Sequence, residues 1–208
     1  MSGALRIDRV VTSGVFELAG VTWDVDNNVS VIGDDDEVVV DAAHDQRPIT
    51  EAVGDRHVTA VVCTHGHNDH VTFAPQLGED CTPRSWCTPV TTHGGSSPIQ
   101  GSVTGTSRRP ANRPGGHRDS SRLRARAFIG SVCLYLPEAG ALFSGDTPIA
   151  GGPGATGRSF SDFPTIIGSI RDRLFTLLEQ TLVHTGQGDA TTIGNEAQHL
   201  AERIARGY

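Results

Sequence analysis

The most constraining feature of the chain is Thr64-His65-Gly66-His67-Asn68-Asp69-His70, where three imidazoles and a carboxylate fall within six positions. The run before it, Thr59-Ala60-Val61-Val62-Cys63, is short, apolar and β-prone, and reads as a buried strand. A strand ending in such a cluster would desolvate all four groups with no return unless something binds them. Imidazole nitrogen and carboxylate oxygen are the usual ligands of hydrolytic zinc. Alternation at the strand end points His65 and His67 the same way, and Gly66 lets the backbone turn close to an ion. Asp69 and His70 then open a helix, read over residues 69–78. One cation can thus be gripped from the strand end and a second from the helix start. A further carboxylate, Asp146 in Phe143-Ser144-Gly145-Asp146-Thr147, completes the candidate ligands His65, His67, Asp69, His70 and Asp146. The plainer reading is a polar loop that happens to be rich in histidine.

The string is His-x-His-x-Asp-His, and on it the chain resembles the metallo-β-lactamase-fold hydrolases, in particular their glyoxalase II-like (hydroxyacylglutathione hydrolase-like) branch. The resemblance covers residues 20–78 and 130–208. It includes Asn28-Val29-Ser30-Val31-Ile32-Gly33, Val38-Val39-Val40-Asp41, Ser131-Val132-Cys133-Leu134-Tyr135-Leu136, the Asp146 segment, Gly157-Arg158 and Thr191-Thr192-Ile193-Gly194. It implies an α/β (α+β) chain folded as an αββα sandwich. It also implies that His65 and His67 belong to a first metal site, Asp69 and His70 to a second, and that Asp146 bridges both. Two positions depart from the pattern. Ala127 stands where a third first-site histidine is expected, and Gln187, in Thr185-Gly186-Gln187-Gly188, stands where a second-site histidine is expected. His184, three residues upstream, reads as an ordinary strand histidine.

The activity implied by the resemblance is hydrolysis of the thioester of an acylated low-molecular-weight thiol. One or two zinc ions would activate a water, and Asp69 is the catalytic candidate that would orient it. The arginines of the chain, with no lysine anywhere, suggest a GC-rich coding genome, so that mycothiol could replace glutathione. The alternatives are a lactone, β-lactam or phosphodiester hydrolase of the same fold, or a non-enzymatic remnant, which the loss of two ligands motivates.

Residues 80–126 are unlike the rest. They hold eight of the 17 arginines and two acids, Asp80 and Asp119. Their aliphatic residues are Val90, Ile99, Val103 and Leu123, with Trp86 the lone aromatic. Such a tract cannot bury enough apolar surface to offset its ordering entropy, and is expected to be irregular. We read it as a frame-shifted translation. Read two nucleotides on, Asp80 to His93 can encode a strand and turn, and Arg126-Ala127-Phe128 read one nucleotide on can encode Gly-His-Ser. The competing reading is a basic insertion for an acidic partner or nucleic acid. Arginines without interleaved aromatics support nucleic-acid binding only weakly. Either His93 or His117 in this tract could supply a missing ligand.

A chain of 208 residues suits one domain over residues 1–208. With 37% hydrophobic residues, mean hydropathy −0.23 and no long apolar run at its start, it reads as cytoplasmic, without signal peptide or membrane span. Cys63 and Cys133 lie in apolar runs and read as buried thiols of a reducing compartment. Strands are expected near 8–17, 21–25, 28–33, 36–41, 59–63, 131–136, 141–144 and 181–184. A helix near 163–179 carries Ile167, Ile170, Leu174, Leu177 and Leu178 as a core stripe, and one near 195–206 buries Ala197, Leu200 and Ile204. The glycine-rich run Gly151 to Arg158 lacks the Lys-Ser/Thr ending of a phosphate loop and reads as a mobile loop beside the metal site.

Overall fold

Alternating burial along the strands decides the architecture, because consecutive strand residues face opposite sides of a sheet. The computed structural model describes residues 5–80, 85–87, 123–128, 131–147 and 163–206. One sheet runs in chain order through β1 (Arg6–Leu18), β2 (Val21–Gly33), β3 (Asp36–Val40), β4 (His57–Cys63) and β5 (Ser85–Cys87). The other runs through β6 (Arg124–Phe128), β7 (Ser131–Leu136), β8 (Ala141–Gly145), β9 (Leu182–Thr185) and β10 (Thr191–Thr192). The helices are α1 (Gln46–Val53), α2 (Asn68–Val71), α3 (Ala74–Asp80), α4 (Phe163–Arg173), α5 (Ile193–Gln198) and α6 (Leu200–Arg206).

Val29, Val31, Val39 and Val61 leave one face of the first sheet to pack with Ile49 and Val53 of α1 and Leu77 of α3. Their neighbours Ile32, Val38 and Val40 point the other way and meet Val132, Leu134, Leu136 and Phe143 of the second sheet. Cys133, Tyr135 and Leu142 leave that sheet's far face for Ile170, Leu174 and Ile193. Each such side chain contributes about 1.5–3 kcal/mol on full burial. The layers are therefore helix, sheet, sheet, helix, the αββα sandwich expected. Both sheets contain one parallel pair that matters for the site: β3 with β4, and β8 with β9. Parallel strands bring their carboxyl ends out on one edge, where open α/β sheets form ligand crevices.

Several boundaries differ from expectation. The strands expected at 21–25 and 28–33 are one, because every residue of β2 pairs with β1, the Asn27-Asn28 step included. The helix expected over 69–78 is two short pieces, α2 and α3, and the main-chain N–H of Phe73 between them bonds to the Ala42 carbonyl instead of continuing the helix. The helix expected over 163–179 ends at Arg173; Leu174 is buried but Leu178 is 63% exposed, so the stripe stops where the helix does. The last helix is also two pieces, broken at His199. Burial falls on Ile193 and Glu196, while Ala197 and Ile204 are exposed and Leu200 is half-buried. The tract 80–126, expected to be irregular, contributes a strand at each end: Ser85–Cys87 beside β4, and Arg124–Phe128 beside β7. The rest of that tract, and with it the frame-shift reading, lies outside the described residues, as does the run from Gly151 to Arg158. Among the described residues no helix is long and apolar enough to cross a membrane.

The first sheet holds one buried ion pair. Glu37 is fully buried on β3 and faces the Arg56 guanidinium, which also reaches Asp8 at 3.1 Å. Burial pushes the Glu37 carboxyl up from 4.5 to about 7, against the pull of Arg56. A raised pKa means the native state holds a proton that the unfolded chain has lost. The associated stability is complete below pH 4.5 and is lost as pH rises through about 7. Replacing Arg56 leaves a buried carboxylate without its cation. Arg56→Met is expected to cost about 3 kcal/mol at pH 8 and clearly less at pH 5, where Glu37 is protonated either way. Urea unfolding at the two pH values checks this; equal losses would show that the pair is not what Arg56 supports.

Candidate metal centre

The site lies at the carboxyl ends of the two parallel pairs. β3 ends at Val40 and hands on to Asp41, whose backbone is left-handed at φ 57°, a conformation most residues adopt only at a cost. That turn swings the carboxylate toward the end of β4. Its Oδ1 accepts the Thr64 main-chain N–H at 2.6 Å, and its Oδ2 accepts the Thr64 hydroxyl at 2.8 Å and faces His70 Nδ1 at 3.1 Å. From Thr64 the chain passes through His65 and His67 into α2, which His67 caps. His65, Asp69 and His70 are buried, and His67 is exposed.

The second sheet supplies Asp146 just beyond β8. Its Oδ1 lies 3.2 Å from His70 Nε2, and its Oδ2 lies 3.9 Å from His65 Nε2. Two glycines permit this approach. A Cβ on Gly145 (φ 53°) would lie 2.0 Å from the Thr64 hydroxyl oxygen. One on Gly186, just past β9, would lie 2.5 Å from Asp146 Oδ1 and 2.7 Å from His70 Cε1. Asp69 Oδ2 sits 3.5 Å from His70 Nε2 and accepts amide N–H groups from Asn27 at 3.1 Å and Gln187 at 3.2 Å. Asp69 Oδ1 is buried with no hydrogen-bond partner among the described residues.

The charges interlock. Burial, helped by His70, lowers His65 to about 4 despite Asp41 and Asp146. Burial also opposes a charge on His70, but Asp41 and the Asp146 hydrogen bond override it and hold that ring well above the ordinary histidine range. Burial works against the Asp146 carboxylate, and His70 more than compensates, so Asp146 sits low. Three carboxylates around two buried rings thus make a centre that attracts positive charge.

The donor set fits a metal ion. One ligand atom each from His65, His70 and Asp146 lie within 4.8 Å of one another. Bonds of ~2.0–2.2 Å would put tetrahedral neighbours about 3.3–3.6 Å apart; the 3.2 Å from Asp146 Oδ1 to His70 Nε2 is close to this, and the 3.9 Å to His65 Nε2 is from the other oxygen, Oδ2. Asp41 on Nδ1 of His70 is the carboxylate that fixes the ring and leaves Nε2 facing the ion site.

Of the residues singled out in sequence, the structure therefore gathers His65, His70 and Asp146, with Asp69 against His70 and with His67 Nδ1 3.0 Å from His65 Nε2 on the exposed side. Gln187 does reach the site, through Asp69. Ala127 lies on β6, in register with Val132, whose N–H bonds to the Thr64 carbonyl at 2.7 Å, so its backbone is one strand from the motif. His184 is elsewhere, on β9, stacked on Phe143 with ring centroids 4.9 Å apart. His93 and His117 lie outside the described residues. Sequence reasoning did not single out Asn27 or Asp41 as site residues. The signal for Asp41 was there, an acid directly after the buried run of β3; Asn27 carried none.

A motif of histidines and aspartates at the strand ends of an αββα sandwich defines a metal-binding, hydrolase-type fold. The chain belongs to the metallo-beta-lactamase superfamily, whose family model matches residues 22–117. It is 44% identical over 163 residues, 78% of this chain and 92% of the relative, to an uncharacterized 11.5 kDa protein from the thcD 3' region of Rhodococcus erythropolis. It is 28% identical to hydroxyacylglutathione hydrolase GloC of Haemophilus influenzae over 81% of this chain and 89% of that one. Among solved structures, TTHA1623 in a di-iron-bound form superposes with TM-score 0.63 at 21% identity, covering 84% of this chain and 93% of that one.

Asp41→Asn should keep the Thr64 contact and the left-handed turn, which asparagine tolerates, while removing the carboxylate from His70. Chelator competition should then show metal affinity reduced about 10–100-fold, alongside a lower unfolding midpoint of the metal-free protein, in which the buried His70–Asp41 pair is broken. Unaltered affinity would mean that Asp41 does not orient a ligand.

Proposed function

We propose that the chain is a zinc-dependent hydrolase that cleaves the thioester of an acylated low-molecular-weight thiol. The observation that carries this is the meeting of buried His65 and His70 with half-buried Asp146, with Asp41 behind His70. The glyoxalase II-like motif and the hydroxyacylglutathione hydrolase relative support the thioester. His65, His70 and Asp146 would hold the ion, which would supply charge for polarising a carbonyl and acidifying water. The di-iron form of a related fold makes iron the competing metal.

The residues of the chain do the rest. Asn27 and Gln187 immobilise Asp69 Oδ2, so Oδ1 is the oxygen left to accept a proton from, and orient, an attacking water. The β1–β2 hairpin rises beside the motif, tied down by Asn68, whose Nδ2 donates to the Val15 carbonyl at 2.9 Å and whose Oδ1 accepts the Glu17 N–H at 3.1 Å. At its tip Phe16 stacks on Trp23 (5.5 Å between centroids) and packs on His67 (5.2 Å), an apolar wall for an acyl chain. A thiolate, from a thiol of pKa about 8.5, leaves without help from an acid, and no acid is needed in the described site.

Steady-state assays of the zinc-loaded protein with glutathione and mycothiol acyl-thioesters, a lactone and a β-lactam test the substrate class. Thioester turnover should exceed the others in kcat/KM, and Asp69→Asn should lower it by about 10²-fold or more. Preferred turnover of the lactone or the β-lactam would replace this reading.

A further inference from the structure

We propose that the amides of Asn27 and Gln187 occupy the place of a second cation on Asp69, so that the centre takes one ion per chain, held by His65, His70 and Asp146. The inference rests on the metal-dependent reading above and adds its stoichiometry.

Asp69 Oδ2 is the oxygen turned toward His70, and it receives both amides, at 3.1 Å from Asn27 and 3.2 Å from Gln187. A carboxylate oxygen offers about two lone-pair sites, so two N–H donors saturate it. The Asn27 amide is fixed in direction. Asn27 is fully buried, and its Oδ1 faces His44 Nε2 at 3.0 Å, leaving Nδ2 as the atom that meets both Asp69 Oδ2 at 3.1 Å and His70 Nε2 at 3.0 Å. His44 is itself locked against β1: a Cβ at Gly14 would lie 2.2 Å from His44 Nδ1, so the ring fills the space that a side chain there would need. This donor is built into the fold from one side, and Gln187 closes on Asp69 from the other.

Among the described residues the remaining donors do not suffice for two ions. A catalytic zinc takes about three protein ligands, and a two-ion centre shares them between cations about 3.5–4 Å apart. Among the described residues one His/Asp cluster has the spacing to hold a metal, and neither His67 nor Asp69 belongs to it. The two amides carry partial positive charge to the carboxylate that a second ion would neutralise. An imidazole in place of the Gln187 side chain would put a basic nitrogen beside Asp69 where one of the two amides now lies.

The test is metal stoichiometry, read without activity. The purified chain is titrated with Co²⁺ and followed by its d–d absorption, and zinc per chain is measured by mass spectrometry after dialysis. The native sequence should saturate at one ion. Gln187→His should saturate at two, while Gln187→Ala, which brings no nitrogen ligand, should stay at one. Gln187 is exposed, so neither change endangers folding. Two ions in the native chain, or one in Gln187→His, would overturn the inference while leaving a metal centre in place. No bound metal in any of the three proteins would overturn the functional reading itself.

Discussion

Asp41 ties together three things that the chain would otherwise leave independent: the end of β3, the first residue past β4, and the ring of His70. Its carboxylate accepts the Thr64 N–H and hydroxyl and lies 3.1 Å from His70 Nδ1. Remove it, and Thr64 loses the partner that sets where the motif leaves the sheet. The link reaches the second sheet too, because the Thr64 carbonyl accepts the N–H of Val132 at the start of β7. One carboxylate thus sets the direction in which the ligands of the first sheet meet Asp146 of the second. The left-handed backbone at Asp41 is the local strain that this arrangement carries.

Charge explains why the site resists being a mere polar loop. Asp41, Asp69 and His70 are each at most 2% exposed, and His65 is 8% exposed. Carboxylates buried this deeply need compensation. In the structure that compensation falls to His70, whose hold on a proton Asp41 and Asp146 strengthen against burial. A ligand nitrogen must be unprotonated to bind metal, so an ion entering here displaces the proton and takes over the same compensating role. The low value of His65 leaves that ring neutral and ready as a donor.

Much of this was legible in the sequence, and the reason differs by feature. The His-x-His-x-Asp-His string is local, so its strand-to-helix context and its clustering could be read directly. The strand and helix runs were consistent with two sheets covered by helices, but the four-layer sandwich itself came from resemblance and not from that pattern. Asn27 was not legible, because its partners Asp69 and His70 are 42 and 43 residues away and its own strand gives no sign of them. Helix ends failed for a related reason. Leu178 and Ile204 continue an apolar period, but a period says nothing about whether the backbone stays helical, and Arg173 and His199 end or break the helices first.

The departure at Gln187 changes chemistry without changing scaffold, and the neighbouring asparagine shows why. Asn28 is next to Asn27 on β2 and therefore faces the opposite way. Its Nδ2 donates to the Thr185 carbonyl at 3.0 Å and the Gly188 carbonyl at 2.8 Å, and its own N–H bonds to the Gly186 carbonyl at 2.7 Å. Arg9 seals the arrangement, with Nε on Asn28 Oδ1 at 2.8 Å and Nη2 on the Gly188 carbonyl at 2.9 Å. The 185–188 turn is thus held by main-chain acceptors that make no use of the side chain at 187. Whatever residue stands there is delivered to Asp69 in the same place. The scaffold of the turn is therefore independent of whether residue 187 carries an amide or an imidazole, and only the group presented to Asp69 would differ.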